Sequence, residues 1–218
     1  MIPLVRYLCT VLLLSQRYLA PVLLFLGLVA VLTSSDTGPL TATYASVAGV
    51  MLLSSVWLTM ALVALEDRPH RAIVIASAGG DLRVLVATVA AAGVWCLLLA
   101  VVGVALPLAF GAHSPGPADL TLGLVAQLTC AAMGVGIGLV CSRLVFRRQG
   151  YALAVALILL LAVLLSRGVS PVNLMLTRLQ NTPDATAALT PTAALFGTAM
   201  GCLAAAVALT QVISRRRA

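Results

Sequence analysis

The sequence predicts an all-helical membrane protein with six transmembrane helices, and three observations lead to this fold class. Hydrophobic residues make up 62% of the 218 residues, whereas charged residues make up 9%. Apolar stretches long enough to cross a bilayer recur along the chain, separated by short polar or charged segments. All six acidic residues fall in those separating segments. A soluble domain of this length does not need so much apolar surface, so we expect one transmembrane domain over residues 1–218.

The first apolar stretch is too long for a single upright span. A helix from Ile2 to Leu32 would be about 46 Å long, whereas the hydrocarbon core of a bilayer is about 30 Å thick. We therefore predict an interfacial helix at residues 3–16, followed by a first span at residues 18–33. One long tilted helix is the alternative interpretation.

Five further spans follow the first one. We place them at residues 43–65, 84–110, 120–142, 151–165 and 192–213. Turn-forming or charged segments join them, because Gly, Pro and Asp concentrate there and the apolar runs stop. Six spans put the N-terminus and the C-terminus on the same side of the membrane.

The connection between the fifth and sixth spans differs from the others. It carries three Ser/Thr-Pro pairs, and each pair joins a capping residue to a proline suited to the first turn of a helix. The sequence therefore predicts short extracellular helices over residues 170–189. In the first of them the apolar residues share one face, which predicts an amphipathic half-helix, either re-entrant or lying on the membrane surface. That face consists of Val172, Met175, Leu176 and Leu179.

Arginine sets the predicted orientation. All thirteen basic residues are Arg, and eleven of them lie on the side that holds both termini, against two on the other side. Because basic residues concentrate on the cytoplasmic side of membrane proteins, we predict that both termini are cytoplasmic. The absence of Lys, together with much Ala, Leu and Val, indicates a GC-rich genome and favours a bacterial plasma membrane.

The longest strongly charged segment of the chain, residues 66–83, lies between the second and third spans. Asp67 is suited to cap a short helix, Pro69 suits its first turn, and Gly79-Gly80 suits its end. A short helix with apolar residues at its centre, held between charged ends at the membrane surface, is suited to dock onto a partner. An ordinary loop resting on lipid headgroups is the alternative.

Several kinds of chemistry are disfavoured by the sequence. No predicted span has a charged residue or His at its centre, which argues against an ion-coupled carrier. His70 and His113 are predicted on opposite sides of the membrane, so they do not share a metal ion. A glycine-rich nucleotide-binding loop that ends in Lys is excluded because the chain has no Lys. We therefore expect no catalytic residues, no metal site and no enzyme activity in this chain.

Small and hydroxyl residues mark two features within the spans. Gly134 and Gly138 form one pair with a spacing of four, and Gly197 and Gly201 form another; packing within the bundle or in a dimer accounts for such pairs. The second span carries a mildly polar strip that faces a transport pathway or bonds back to its own helix. The strip consists of Ser54, Ser55, Trp57 and Thr59.

This arrangement resembles the membrane subunit of ABC-2 type transporters, the permease of the type V exporter fold. The resemblance covers nearly the whole chain: an N-terminal interfacial helix, six spans, a charged segment between spans two and three, and short helices before span six. The segment EDRPHRAIVIASAGGDLR, followed by VLVATVAAA, is similar to the cytoplasmic coupling helix of that family. The chain is short for the family and has no large extracellular domain.

The resemblance implies partners and contact residues. It implies that residues 66–83 dock onto a separate cytoplasmic ATPase subunit, which would hold ATP and magnesium, and that two permease copies, identical or related, pair in the membrane. The implied coupling-helix contacts are Glu66, Asp67, Arg68, His70, Arg71 and Ile75. A second contact is implied at Arg143, Arg147 and Arg148. The amphipathic half-helix resembles the extracellular gate of the family.

The implied function is outward transport of a small or lipophilic cargo, such as a drug, a peptide or a lipid. The chain has few aromatic residues, which disfavours a polysaccharide pathway. Two alternatives remain open from the sequence: a six-span substrate-binding subunit of a vitamin importer, and a membrane enzyme with an unrecognised site. Nucleic acid is not an expected partner, because the arginines are spread over several loops.

Overall fold

The structure, a computed structural model, is a bundle of α-helices. It describes residues 2–34, 39–65, 74, 80–110, 116–142, 149–166, 168, 170–182 and 184–217. Within these residues the chain forms eight long helices and no strand. They are α1 (Ile2–Ser15), α2 (Leu19–Ser34), α3 (Leu40–Val63), α4 (Asp81–Phe110), α5 (Pro117–Val140), α6 (Gln149–Leu165), α7 (Pro171–Asn181) and α8 (Ala185–Arg217).

Four of the described helices, α3, α4, α5 and α8, are long and apolar enough to cross a membrane. The pair α1 and α2 would add a fifth span if the two count as one broken span, since they meet at an angle of 79°. Helix α6 is apolar but has 17 residues. The described part of the chain is thus all-helical, with four or five candidate membrane spans.

The break between α1 and α2 has a local cause in the backbone. Gln16 takes a left-handed conformation with φ of 55°, which an ordinary L-residue rarely adopts and which ends α1. Because of the bend, α1 packs against α4 and buries Leu8 and Leu12. Trp95 of α4 hydrogen-bonds the side chain of Cys9 there. The bend therefore turns an apolar stretch that is too long for one span into two helices that pack on the bundle.

Helices α3 and α5 form the centre of the bundle and run in the same direction. Gly123 lies against the ring of Tyr44, and Gly138, further along α5, lies against Thr59, further along α3. A Cβ atom at Gly138 would be 2.7 Å from Thr59 Cβ and 2.9 Å from the carbonyl oxygen of Val56. The missing side chain is what allows the two backbones to approach so closely.

The neighbouring helices run opposite to this central pair. Tyr18 at the start of α2 stacks on Trp95 of α4 with ring centroids 5.1 Å apart, and Phe25 lies against Gly103, so α2 and α4 are parallel. Arg17 Nη1, just before α2, donates a hydrogen bond of 3.2 Å to the carbonyl oxygen of Ala64, just after α3. Helix α2 therefore begins where α3 ends.

These directions bring six helix termini to one end of the bundle, which we call the Asp81 end. It holds the starts of α2, α4 and α6 and the ends of α3, α5 and α8. Ser214 near the end of α8 donates a hydrogen bond of 2.5 Å to the Asp81 carboxylate at the start of α4. The opposite end, which we call the Asp119 end, holds the start of α5 and helix α7.

Some helix limits differ from those predicted from the sequence. The third predicted span was placed at residues 84–110, but α4 already begins at Asp81, so residues 81–83 belong to the helix and not to the charged loop. The fourth, placed at 120–142, begins at Pro117 with Gly116 as its N-cap. Asp119 bonds back to the Gly116 N–H at 2.9 Å, because a carboxylate at the third helical position reaches the cap nitrogen.

The largest difference concerns the last helix. The sixth span was predicted to begin at residue 192 after a helix break at Thr190-Pro191, but α8 begins at Ala185 and continues through Pro191 without interruption. Pro191 is the seventh residue of α8, so the helix lacks the backbone hydrogen bond that this position would otherwise donate, and the alanine residues on both sides favour the helical conformation. The predicted extracellular helices at 170–189 therefore reduce to α7 and the first turn of α8.

We expect Gly138→Ala to destabilise the protein by about 1–3 kcal/mol, since the added methyl group would meet the α3 backbone and a β-carbon, neither of which can rotate away. Thermal unfolding of the purified protein in detergent measures the effect. Gly201→Ala is the matched control, because Gly201 lies in α8 with no atom near its missing side chain. Equal melting temperatures for the two variants would contradict the close approach of α3 and α5.

Candidate functional site

The four residues of the polar strip predicted on the second span lie on different faces of α3 in the structure. Ser54, Ser55 and Thr59 are fully buried, whereas the Trp57 side chain is 42% exposed on another face of α3. Ser55 Oγ donates to the carbonyl oxygen of Leu52 at 2.9 Å, and Thr59 Oγ1 donates to that of Ser55 at 2.8 Å. Both hydroxyls therefore bond back to their own helix, and the four residues do not share an open surface.

The interior of the bundle also holds polar side chains without partners. Burying such a group without a hydrogen bond is unfavourable, so these positions are candidates for binding. Five side chains are buried with polar atoms that have no hydrogen-bond partner among the described residues: Thr41, Tyr44, Ser54, Gln127 and Ser170.

Gln127 is the one amide side chain among these five residues. It lies on α5 and is 0% exposed, and neither amide atom has a partner within the described part of the chain. Its Nε2 atom lies against α4 at Gly103, where a Cβ atom would be 2.8 Å away, and Phe25 of α2 lies against the same glycine. The absent side chain at Gly103 is what leaves room for the amide between α2, α4 and α5.

Tyr44 lies about one helical turn from Gln127 along the contact of α3 with α5, and Thr41 lies a further turn towards the Asp119 end. The Tyr44 ring packs on Gly123, where a Cβ atom would be 3.0 Å from the ring, and Gly123 is one helical turn before Gln127 on α5. Thr41 is one turn before Tyr44 on α3. We call Thr41, Tyr44 and Gln127 the inner polar cluster. It offers two hydroxyl groups and one amide, which suit hydrogen bonding to an uncharged polar ligand group.

The inner polar cluster was not predicted from the sequence, because the predictions within the spans rested on charged residues, glycine pairs and the hydroxyl groups of the second span. One signal was nevertheless present: Gln127 is the amide residue nearest the middle of any long apolar helix. The position of Tyr44 opposite Gly123 required the helix packing. An amide residue in an apolar span is therefore a candidate functional residue, as a charged residue is.

Helix α7 has the amphipathic character on which the predicted extracellular gate depends. Val172, Met175 and Leu179 are fully buried, and Leu176 is half-buried beside them. The helix packs mainly against α3 and α8, and Asn173 Nδ2 donates to the carbonyl oxygen of Leu164 at the end of α6. Helix α7 is thus attached to three other helices at the Asp119 end.

The predicted ATPase contacts lie outside the described residues. These are Glu66, Asp67, Arg68, His70, Arg71 and Ile75 in the coupling segment, and Arg143, Arg147 and Arg148 in the second segment. The described residues that flank these two segments all lie at the Asp81 end. They are Leu65 and Gly80 for the coupling segment and Ser142 and Gln149 for the second segment. Val74, which is described, is helical and 8% exposed.

The chain matches no protein-family model, and no curated protein or solved structure is significantly similar to it. The described part of the chain contains no group of three His, Cys, Asp or Glu side chains close enough to hold a metal ion. The described interior could bind a ligand through the hydroxyl and amide groups named above and through apolar contacts.

We expect Gln127→Met to leave the melting temperature in detergent unchanged or to raise it. Methionine has nearly the same length, and burying an amide without a partner costs about 1–3 kcal/mol. Gln180→Met on the exposed face of α7 is the control for the substitution itself. A loss of stability of more than about 1 kcal/mol at position 127 alone would mean that the amide has a partner in the resting protein.

Proposed function

We propose that this chain is the membrane-spanning permease subunit of an ATP-driven exporter. A separate cytoplasmic ATPase subunit, which holds ATP and magnesium, would drive it, and a second permease copy would complete the pathway. One observation carries the proposal: both segments implied to contact an ATPase connect helices at the Asp81 end, where both are flanked by described residues. Eleven of the thirteen arginines belong to that side of the predicted topology.

The proposed topology has six spans, formed by α2 to α6 and α8, with α1 as an interfacial helix. Helix α6 has 17 residues, which is at the lower limit for crossing a bilayer. The alternating directions of α2, α3, α4 and α5 support this topology, as does the return of α8 to the Asp81 end. By the positive-inside rule the Asp81 end faces the cytoplasm in the bacterial plasma membrane.

The proposed mechanism uses the contact between α3 and α5. The coupling segment connects α3 to α4, so a push from the ATPase acts on both helices. Because Gly134 and Gly138 hold α5 tightly against α3, these two helices move together. Helix α7 packs on α3 at the other end, so a tilt of α3 displaces α7. A push at the cytoplasmic end would thereby open the extracellular gate.

The inner polar cluster is the proposed contact for cargo. It lies between helices that run in opposite directions, and separation of α4 from α5 would expose Gln127 and Tyr44 to a passage. A mostly apolar passage with a few hydrogen-bonding groups fits a small or lipophilic cargo, such as a drug, a peptide or a lipid.

We expect Thr177→Cys to react with a membrane-impermeant maleimide in intact cells, since Thr177 is on the exposed face of α7. Ala72→Cys, in the coupling segment, should react only after the cells are lysed. Both variants are made in a background in which the native cysteines are replaced. The reverse pattern would contradict the proposed orientation.

We expect the double variant Glu66→Gln/Arg71→Gln to insert normally but to lose the ATPase partner and more than about tenfold of ATP-dependent transport, because charge-assisted contacts of this kind contribute about 1.5–3 kcal/mol each. The matched control is Arg178→Gln/Asp184→Asn, which removes one base and one acid near the Asp119 end. Co-purification from native membranes, with identification of the partner by mass spectrometry, measures the association.

The same experiment tests the whole proposal. A stoichiometric partner with a nucleotide-binding loop supports it. A chain that purifies alone and remains alone after crosslinking through Ala72→Cys contradicts it. Tight one-to-one binding of a vitamin by that isolated chain would instead support a substrate-binding subunit of an importer.

A further inference from the structure

A groove at the Asp81 end lies between the start of α2, the end of α3, the end of α5 and the start of α6. Its volume is about 390 Å³. Ten residues line it: Arg17, Ala20, Trp57, Met60, Ala61, Ala64, Cys141, Ser142, Ala152 and Leu153. It is separate from the inner polar cluster and shares only Trp57 with the predicted polar strip of the second span.

The walls of the groove differ in character. One wall is apolar and consists of Met60, Ala61, Trp57 and Leu153. The side chains of Trp57 and Leu153 are 42% and 53% exposed, so this wall continues onto the outer surface of the bundle. Cys141 and Ser142 are buried at its inner side. The groove is therefore open on its apolar side, where Trp57 and Leu153 would meet lipid in a membrane.

Arg17 supplies the charge at the groove. It follows the left-handed Gln16 at the corner between α1 and α2, and that corner directs its side chain towards the end of α3. One guanidinium nitrogen, Nη1, donates to the carbonyl oxygen of Ala64 at 3.2 Å, and no carboxylate of the described residues pairs with it. A guanidinium has five N–H donors, and the bond to Ala64 uses one of them.

The arginine and the apolar wall together indicate which class of ligand the groove would bind. An arginine fork binds phosphate through two parallel hydrogen bonds, and an adjacent apolar wall with an exposed Trp suits the first methylenes of an acyl chain. A cavity of about 390 Å³ is at the lower end of the range for ligand sites, which suits a headgroup and the beginning of a chain, with the tails left in the bilayer.

We propose that this groove is a binding site for a membrane phospholipid with a net negative charge, whose phosphate binds Arg17 and whose proximal acyl carbons lie along Trp57 and Leu153. The site does not depend on the proposed permease function. A phospholipid there fills the space between α3 and α6, two helices that otherwise make little contact with each other.

The first test is native mass spectrometry of the purified full chain, titrated with dioleoyl phosphatidylglycerol. We expect one tightly bound lipid and about tenfold weaker binding in Arg17→Gln, the size expected for loss of a charge-assisted hydrogen bond. Ala61→Phe fills the groove and should abolish the tight site. Arg178→Gln, which removes an exposed arginine on α7, is the matched control and should bind as the unaltered chain does.

Three competitors identify the recognised group. Glycerol phosphate and inorganic phosphate should displace the lipid only weakly, since neither fills the apolar wall, and dioleoylglycerol should bind weakly because it lacks the phosphate. Displacement by inorganic phosphate as strong as that by the lipid would overturn the phospholipid assignment. Equal binding by Arg17→Gln and the unaltered chain, or unchanged binding by Ala61→Phe, would also overturn it.

A second measurement does not require an Arg17 variant. Trp57 and Trp95 are the two tryptophans of the chain, so Trp95→Phe leaves Trp57 as the single fluorophore. Phosphatidylglycerol with brominated acyl chains should quench Trp57 at about tenfold lower mole fraction than brominated phosphatidylcholine does. Equal quenching by the two lipids would show ordinary bilayer contact and would overturn the site.

Discussion

The structure depends above all on the close contact between α3 and α5. Burial of apolar surface does not by itself drive helices together in a bilayer, because lipid tails are as apolar as the side chains. Association then depends on backbone approach and dense packing. Gly134 and Gly138 provide this approach, since they lie against Ser55 and Thr59 with no side chain of their own between the helices. The remaining helices are arranged around this pair.

Hydroxyl groups at this contact are acceptable because they bond to their own helix. Ser55 and Thr59 each donate to a carbonyl oxygen three or four residues earlier, so neither is an unsatisfied polar group in the interior. The inner polar cluster is the opposite case: Gln127 and Tyr44 are equally buried but have no partner in the described part of the protein. A membrane protein retains such costly groups where they serve binding or motion.

Features that depend on the residues of one helix could be predicted from the sequence, whereas features that depend on packing between helices could not. The break between α1 and α2 follows from the length of the apolar stretch, and the buried face of α7 follows from helical periodicity. Pro191 was predicted to mark a helix break because proline in a helix interior is unfavourable, but α8 continues through it. The two glycine pairs have the same spacing, yet Gly134 and Gly138 contact α3 whereas Gly197 and Gly201 have no atom within 4 Å. Only the packing distinguishes them.

The periphery of the bundle explains why lipid would be part of the working structure. Helix α6 exposes large apolar side chains along most of its length, and α8 is 11% buried within its most apolar window. Helix α8 nevertheless packs closely along α5, whereas α6 makes only a small contact with α5 and little contact with α3. The groove beside Arg17 lies where α6 meets the ends of α3 and α5, so a phospholipid bound there would supply packing that the protein does not. If α3 and α5 tilt as one unit, a lipid at this position can adjust to the changing gap more readily than a protein side chain, since its tails remain in the fluid bilayer. On this argument the bound lipid would fill a gap of variable width between the α3–α5 pair and α6.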